Sequence, residues 1–300
     1  MHLLSIADLT ADEIRDLIRQ AGVLKRQSRL SLLAGRSLGL LFERPSLRTR
    51  VSFEVAMYQL GGHSLYLSPE EIGLGQREAV GDVGAVLSRY VHGMVARVRY
   101  QASLQLLAQY ASVPVINGLS DEEHPCQALS DLLTIFEKKG KLEGLVLAYV
   151  GDGNNVAHSL LLGGCLIGME VRLACPQPYQ ALPSVVAKAQ DLAQKNGAKV
   201  ILTEDPHEAV SGADVVYTDV WYSMGHEEER DVRRKAFVPY QVNQVLMARA
   251  KEAALVMHNL PAHRGEEITD EVIDGPRSVV LDQAENRLHM QKAILAKLLE

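Results

Sequence analysis

Apolar residues gather along this chain in short uninterrupted runs, the signature of strands buried on both faces. In the first half such runs lie at 38–42, 63–67, 94–98 and 113–116, separated by stretches long enough for helices. Thr10 followed by Glu13 makes a capping-box pattern, and Ile14, Leu17, Ile18, Ala21 and Leu24 then recur at helical spacing. A second helix is predicted from about Thr49 to Leu60, after a strand ending at Phe42 and a polar turn at 43–46. The segment HPCQALSDLLTIFEKKGKLEG reads as one helix that opens at a proline and leaves through a Lys/Gly-rich exit. A domain boundary is expected in that exit, near 139–144. A second series of runs follows at 145–150, 171–175, 200–202, 215–220 and 255–258, and a closing helix is predicted over 284–299. The alternation of strand and helix predicts an α/β fold in two halves, each a mainly parallel sheet covered on both faces.

Composition narrows the function classes. Of 300 residues, 47% are apolar and 23% charged, enough to fill the cores of two ordinary domains and far from a disordered chain. The net charge of −6 argues against a protein that coats nucleic acid or anionic membrane, so an anionic small substrate needs a local basic pocket. Three cysteines, none in a CxxC pair, fit a reducing cytosol and give no zinc site. No leader sequence and no apolar run of membrane-spanning length is read. A cytoplasmic protein without nucleic-acid or membrane partners is expected.

Five segments carry candidate chemistry. Ser46, Leu47, Arg48, Thr49 and Arg50 stand at a predicted helix start, where backbone N–H groups, hydroxyls and guanidinium groups suit phosphate oxygens. The same residues also fit a solvated, salt-bridged helix start. His124 and Gln127, in His-Pro-Cys-Gln, offer donors to a carbonyl and an amide, or else a capping turn around a buried Cys126. Gly151-Asp152-Gly153-Asn154-Asn155 opens like a dinucleotide fingerprint, but Val156 stands where the third glycine belongs. Asn155 instead offers an amide to a polar substrate at the sheet edge. Asp219 ends another strand and can hold an ammonium group, with Ser223 and Met224 positioning it; Trp221 there equally fits simple packing. His258 and His263 are too poorly spaced to share a helical face as metal ligands.

In order and approximate spacing, FERPSLRTR, HPCQ, GDGNN, DVWYSMG, HNLP and AENR resemble the aspartate/ornithine carbamoyltransferase family over essentially the whole chain. The SMG segment is similar to the amino-acid loop of the family's ornithine branch. The resemblance implies transfer of the carbamoyl group of carbamoyl phosphate to the δ-amine of L-ornithine, giving L-citrulline and phosphate, with no cofactor and no metal. It implies two doubly wound parallel-sheet α/β domains joined by two interdomain helices. The carbamoyl-phosphate domain is expected at 1–140, with the helix at 284–300 packing back on it, and the ornithine domain at 141–283. A homotrimer, or an assembly of trimers, with active sites at subunit interfaces is implied as well. Carried over residue by residue, carbamoyl phosphate falls to Ser46, Leu47, Arg48, Thr49, Arg97, His124, Gln127, Leu260 and Arg287. Ornithine falls to Asn155, Asp219, Ser223 and Met224, and catalysis to Arg97, His124 and Asn259.

Three positions depart from the family's pattern. Asn259 replaces the usual cysteine of HCLP, so a carboxamide stands where a thiol contacts the amino acid. Leu47 replaces the middle threonine of the phosphate loop, and Gly73 falls where a neighbouring subunit commonly supplies Gln or His. Asn259 keeps open another acceptor, such as putrescine or an acylated ornithine. The missing glycine disfavours a nucleotide-dependent oxidoreductase. Retention of Arg48, Arg97, His124 and Arg287 disfavours a catalytically silent relative.

Overall fold

The computed structural model describes residues 1–27, 30–222 and 229–300. The chain forms two compact units, one of Met1–Leu133 with Glu285–Glu300 and the other of Thr134–Ala284. The first contains α1 Ala11–Lys25, β1 Ser37–Phe42, α2 Leu47–Gln59, β2 His63–Leu67, α3 Pro69–Ile72, α4 Val80–Leu87, β3 Gly93–Arg97, α5 Gln101–Tyr110 and β4 Val115–Leu119. Helix α6, Pro125–Lys139, carries the chain out of it. The second contains β5 Val146–Val150, α7 Asn155–Leu166, β6 Glu170–Ala174, α8 Pro183–Asn196, β7 Lys199–Thr203, α9 Pro206–Val210 and β8 Val215–Thr218. After these come α10 Arg230–Phe237, α11 Gln244–Met247, β9 Leu255–His258 and α12 Asp270–Ile273. Helix α13, Val280–Leu299, returns to the first unit.

Both sheets are wholly parallel, with strand orders β2-β1-β3-β4 and β7-β6-β5-β8-β9. The apolar runs are the strands: β3 and β8 are buried at every residue, because helices cover both faces. Edge strands β2 and β7 are the more exposed. Strand β4 starts at Val115, two residues later than the apolar run predicts, because Pro114 has no N–H to give a sheet ladder. Strand β8 stops at Thr218, short of the predicted 220. There Asp219 turns its own carboxylate back onto the Val220 N–H at 2.8 Å, ending the ladder.

Helix α1 opens on the predicted capping box, with Thr10 and Glu13 bonded reciprocally. Helix α13 is fastened to the first unit by a buried lysine. Lys292 Nζ donates to the Leu24 and Gln27 carbonyls and to Gln59 Oε1, at 2.7, 3.2 and 2.9 Å. An ammonium suits that place because the C-terminal carbonyls of α1 carry partial negative charge. At its other end Gln283 accepts the His258 N–H and donates to the Tyr217 hydroxyl, within the second unit.

Each sheet reverses its strand order once. In the first unit this happens between β1 and β3, and in the second between β5 and β8. A doubly wound sheet leaves its ligand crevice at such a point, at the carboxyl ends of the two strands. The loops after β1 and β8 contain Ser46 and Asp219, Arg97 is the last residue of β3, and Asn155 is the first residue of the helix after β5.

Candidate active site

In the first unit the site is a set of buried cations around a helix start. Ser46 caps α2: its Oγ accepts the Thr49 N–H at 3.3 Å and its hydroxyl meets Thr49 Oγ1 at 3.1 Å. Such a cap contributes about 1 kcal/mol and fixes the first turn. Leu47 and Arg48 supply the first two N–H groups of α2, ahead of the repeating hydrogen-bond pattern. The Leu47 side chain itself is 76% exposed. Thr49 is fully buried, and its hydroxyl accepts a 2.7 Å bond from Arg287 Nη2. That bond brings together residues 238 apart in the chain.

Arg97 ends β3 and is buried. Between Ala96 and Arg97 the register against β4 shifts, so that Arg97 pairs with Leu119 while Ala96 pairs with Asn117. The irregularity re-aims the last residue of the strand. Burial, then repulsion by Arg287, Arg44 and Arg48, lowers the guanidinium's pKa to about 10. Arg97 Nε is buried without a hydrogen-bond partner. His124 immediately precedes α6, and its carbonyl accepts the Gln127 and Ala128 N–H groups. Burial, with Arg287 and Arg97 nearby, holds the imidazole well below its usual pKa, so it is neutral at pH 7. Gln127 donates through Nε2 to Asp131 at 2.9 Å, which leaves Oε1 as the acceptor end of its amide. Cys126 is fully buried and its thiol is pushed up to about 12, so it is no nucleophile.

In the second unit the site is a buried carboxylate in a cage of donors. The loop after β5 begins at Gly151, whose φ of 143 suits only glycine. A Cβ on Gly153 would lie 2.3 Å from the Ala181 N, so this glycine is there for close packing and not for a nucleotide. Asn154 caps α7, its Oδ1 accepting the Val156 and Ala157 N–H groups at 2.9 and 3.1 Å. Its Nδ2 then donates to Asp219 Oδ2 at 2.9 Å, across the switch point. Asn155 is the first residue of α7. Asp219 also accepts from the Val220 N–H and from the Asn259 amide. Burial nonetheless raises its pKa, opposed by His258 and these donors.

Strand β9 delivers Asn259 and Leu260. The Leu260 N–H donates to His258 Nδ1 at 2.8 Å, which assigns the ring proton to Nε2, facing Glu267 Oε1 at 3.0 Å. This bond holds Leu260 at φ 56, a left-handed conformation costing about 1–3 kcal/mol for a side-chain-bearing residue. Asn259 Oδ1 is buried with no hydrogen-bond partner.

Ser46, Thr49, Arg97, His124 and Arg287 therefore gather in the first unit, and Asn155, Asp219, Asn259 and Leu260 belong to the second. Ser223 and Met224 lie outside the described residues. His263 stacks on Tyr222 at 4.9 Å instead of joining His258. Among the described residues no group of three or more His, Cys, Asp or Glu is placed to hold a metal. Three participants escape the sequence reading. Arg44 lies beside the phosphate segment with nothing in its spacing to mark it, Glu267 has no local signature, and Asn154 stands next to Asn155, whose amide draws the same reading. Only Asn154 carries a signal, an Asn directly ahead of a helical pattern.

Residues 1–137 match the family model of the aspartate/ornithine carbamoyltransferase carbamoyl-P binding domain, and residues 143–298 that of the Asp/Orn binding domain. The ornithine carbamoyltransferase of Archaeoglobus fulgidus is 53% identical over 99% of this chain and 97% of its own length. The solved structure of ornithine carbamoyltransferase from Pyrococcus furiosus matches with a TM-score of 0.97 at 51% identity, covering 99% of this chain and 96% of that one. A variant of N-acetyl-L-ornithine transcarbamylase stands further off, with a TM-score of 0.90 at 33% identity and 99% coverage of each chain. With both family models matched and relatives half identical along nearly its full length, the chain belongs to the aspartate/ornithine carbamoyltransferase family.

Proposed function

We propose that this chain transfers the carbamoyl group of carbamoyl phosphate to the δ-amine of L-ornithine, giving L-citrulline and phosphate. The observation that carries the reading is the crowd of like charges, buried Arg97 and Arg287 beside half-buried Arg44 and Arg48. Guanidinium groups held together in this way repel one another, and a dianion set among them relieves that repulsion. The first unit is assigned to carbamoyl phosphate and the second to ornithine. The phosphate takes the Ser46 and Thr49 hydroxyls, the N–H groups of Leu47 and Arg48, and the Arg48 and Arg287 guanidinium groups. Arg97 and neutral His124 donate to the carbamoyl oxygen, where negative charge develops as the amine attacks. Gln127 Oε1 accepts from the carbamoyl NH₂. Asp219 accepts from the α-ammonium of ornithine, and the Asn155 amide meets its α-carboxylate.

Chemistry proceeds by one displacement at the carbonyl carbon. The neutral δ-amine forms the new C–N bond, the C–O bond to phosphate breaks, and the nitrogen gives up one proton, which the departing phosphate takes. No covalent enzyme intermediate is required. A free alkyl amine has a pKa near 10, so roughly one molecule in a thousand is reactive at pH 7. The rate of the chemical step is expected to rise steeply from pH 7 toward 9, and a flat profile with chemistry rate-limiting contradicts the reading.

An acylated ornithine fits this chain less well than the free amino acid. Acylation removes the α-ammonium and leaves buried Asp219 facing an amide. The deciding experiment supplies carbamoyl phosphate with ornithine, putrescine, N-acetylornithine or aspartate and follows phosphate release together with product identity. Ornithine is expected to turn over fastest; a faster rate with any other amine overturns the assignment.

A homotrimer in the cytoplasm belongs to the same proposal. Its support is the exposure of Val51, Tyr58 and Leu65 on α2 and the adjoining edge strand β2, apolar surface of the kind that subunits cover. Sedimentation equilibrium should return three times the chain mass.

A further inference from the structure

Helix α6 buries a polar pair along its own length. Gln127 and Asp131 stand four residues apart, are 1% and 0% exposed, and share a 2.9 Å bond from Gln127 Nε2 to Asp131 Oδ1. Ala128, Leu129, Leu132 and Ile135, beside them in the helix, are buried and apolar. An (i, i+4) bond adds little to a helix, whereas full burial of a carboxylate is costly, so stability does not explain the pair. Its effect is one of direction. A carboxylate has no proton to give, so it takes the NH₂ end of the amide and leaves Oε1 as the end turned away. Among the described residues this is the one hydrogen bond of the Gln127 side chain, so nothing else there decides which way the amide is turned.

That direction bears on a single substrate group. Ser46, Thr49, Arg48 and Arg287 are assigned to the phosphate, and Arg97 and His124 to the carbonyl oxygen. Acetyl phosphate presents both of these unchanged and differs only in carrying CH₃ where carbamoyl phosphate carries NH₂. Of the contacts proposed in the first unit, Gln127 Oε1 alone meets that group. Reactivity does not favour the carbamoyl compound, because its nitrogen lone pair delocalises into the carbonyl and weakens the electrophile. We propose that Asp131 is a positioning residue that sets specificity for the group-donating substrate. By holding Nε2 it keeps Oε1 toward the carbamoyl nitrogen, and against a methyl group it leaves that oxygen desolvated and unpaired. This rests on the reading of carbamoyl phosphate as the ligand of the first unit and of Gln127 as its contact to the NH₂ group.

The test measures kcat/KM for carbamoyl phosphate and for acetyl phosphate, with ornithine saturating. It uses the unaltered enzyme, Asp131→Asn, and the exchanged pair Gln127→Glu with Asp131→Asn. Acetyl transfer forms the C–N bond to the δ-amine, breaks the C–O bond to phosphate and passes the nitrogen's proton to phosphate, giving Nδ-acetylornithine. That product and citrulline are quantified, and acetyl phosphate is also titrated as a competitive inhibitor, so that discrimination is read even where its turnover is slow.

An asparagine at 131 accepts from Nε2 or donates to Oε1 equally well, so the Gln127 amide is no longer held one way round. Preference for carbamoyl phosphate is expected to fall about tenfold, the scale of one hydrogen bond. In the exchanged pair the asparagine donates to one oxygen of the new carboxylate and the other oxygen accepts from the carbamoyl nitrogen. Preference then returns to within about twofold of the unaltered value. A carboxylate at 127 weakens both phosphates alike, and the ratio cancels that loss. Where Asp131→Asn does not fold, the exchanged pair, which keeps volume and net charge, carries the test alone. No preference in the unaltered enzyme, an equal loss with both phosphates in Asp131→Asn, or a preference in the exchanged pair more than about twofold below the unaltered value overturns the proposal. Failure of the unaltered enzyme to turn over carbamoyl phosphate with ornithine overturns the functional reading instead, and is seen before any variant is made.

Discussion

The two switch points are built alike in backbone and oppositely in charge. In the first unit, Arg97, Arg287, Arg44 and Arg48 repel one another, and Arg97 shows the strain as a pKa lowered to about 10. In the second, buried Asp219 is compensated from within the protein by Asn154, the Val220 N–H and Asn259. The first arrangement is relieved by an incoming anion, so its ligand gains affinity from charge. The second is already satisfied in large part, so its ligand gains mainly from geometry. Two halves of one family fold thus use electrostatics differently: one stores repulsion and the other stores order.

The largest expected effect lies on the repelling side. Arg97→Met removes a donor to the developing oxyanion and should lower kcat/KM for carbamoyl phosphate about 10³-fold. Its melting temperature should hold or rise, because one of several repelling charges is gone. A loss of activity that tracks a loss of stability breaks the comparison. Next is Asp219→Asn, which should raise KM for ornithine about 10²-fold while KM for carbamoyl phosphate stays within about twofold. Steady-state kinetics with each substrate varied in turn separates the two. The smallest effect sharpens the comparison at its most unusual residue. Asn259→Cys should lower KM for ornithine or raise kcat by about three- to tenfold, the scale of one hydrogen bond. Unchanged constants mean that the buried carboxamide is compensated elsewhere in the second unit.

Much of the fold was legible in the sequence because buried parallel strands write themselves as apolar runs. The runs at 63–67 and 255–258 coincide with β2 and β9, and the others fall within a few residues of a strand. The exceptions follow from single residues, Pro114 for the start of β4 and Asp219 for the end of β8. The site was legible only as a set of motifs. Nothing local to Gln127 reveals that its amide is turned along its own helix to Asp131. The pairing of His258 with Glu267 is likewise silent in the chain, since nine residues separate them across a loop. Arg233 stands in a run of charged residues, yet it is buried over the Tyr179 ring and bonded to Asp152.

By itself the sequence determined the α/β class, the two series of strands and the motif order that marks the family. These depend on periodicity and residue type, which act over a few neighbours. Tertiary structure alone decided which charges meet: Arg287 on Thr49 across 238 residues, Arg97 among its repelling partners, and Asp219 inside its cage of donors. Burial and Coulomb interaction depend on distance in space, and only the folded chain sets that distance.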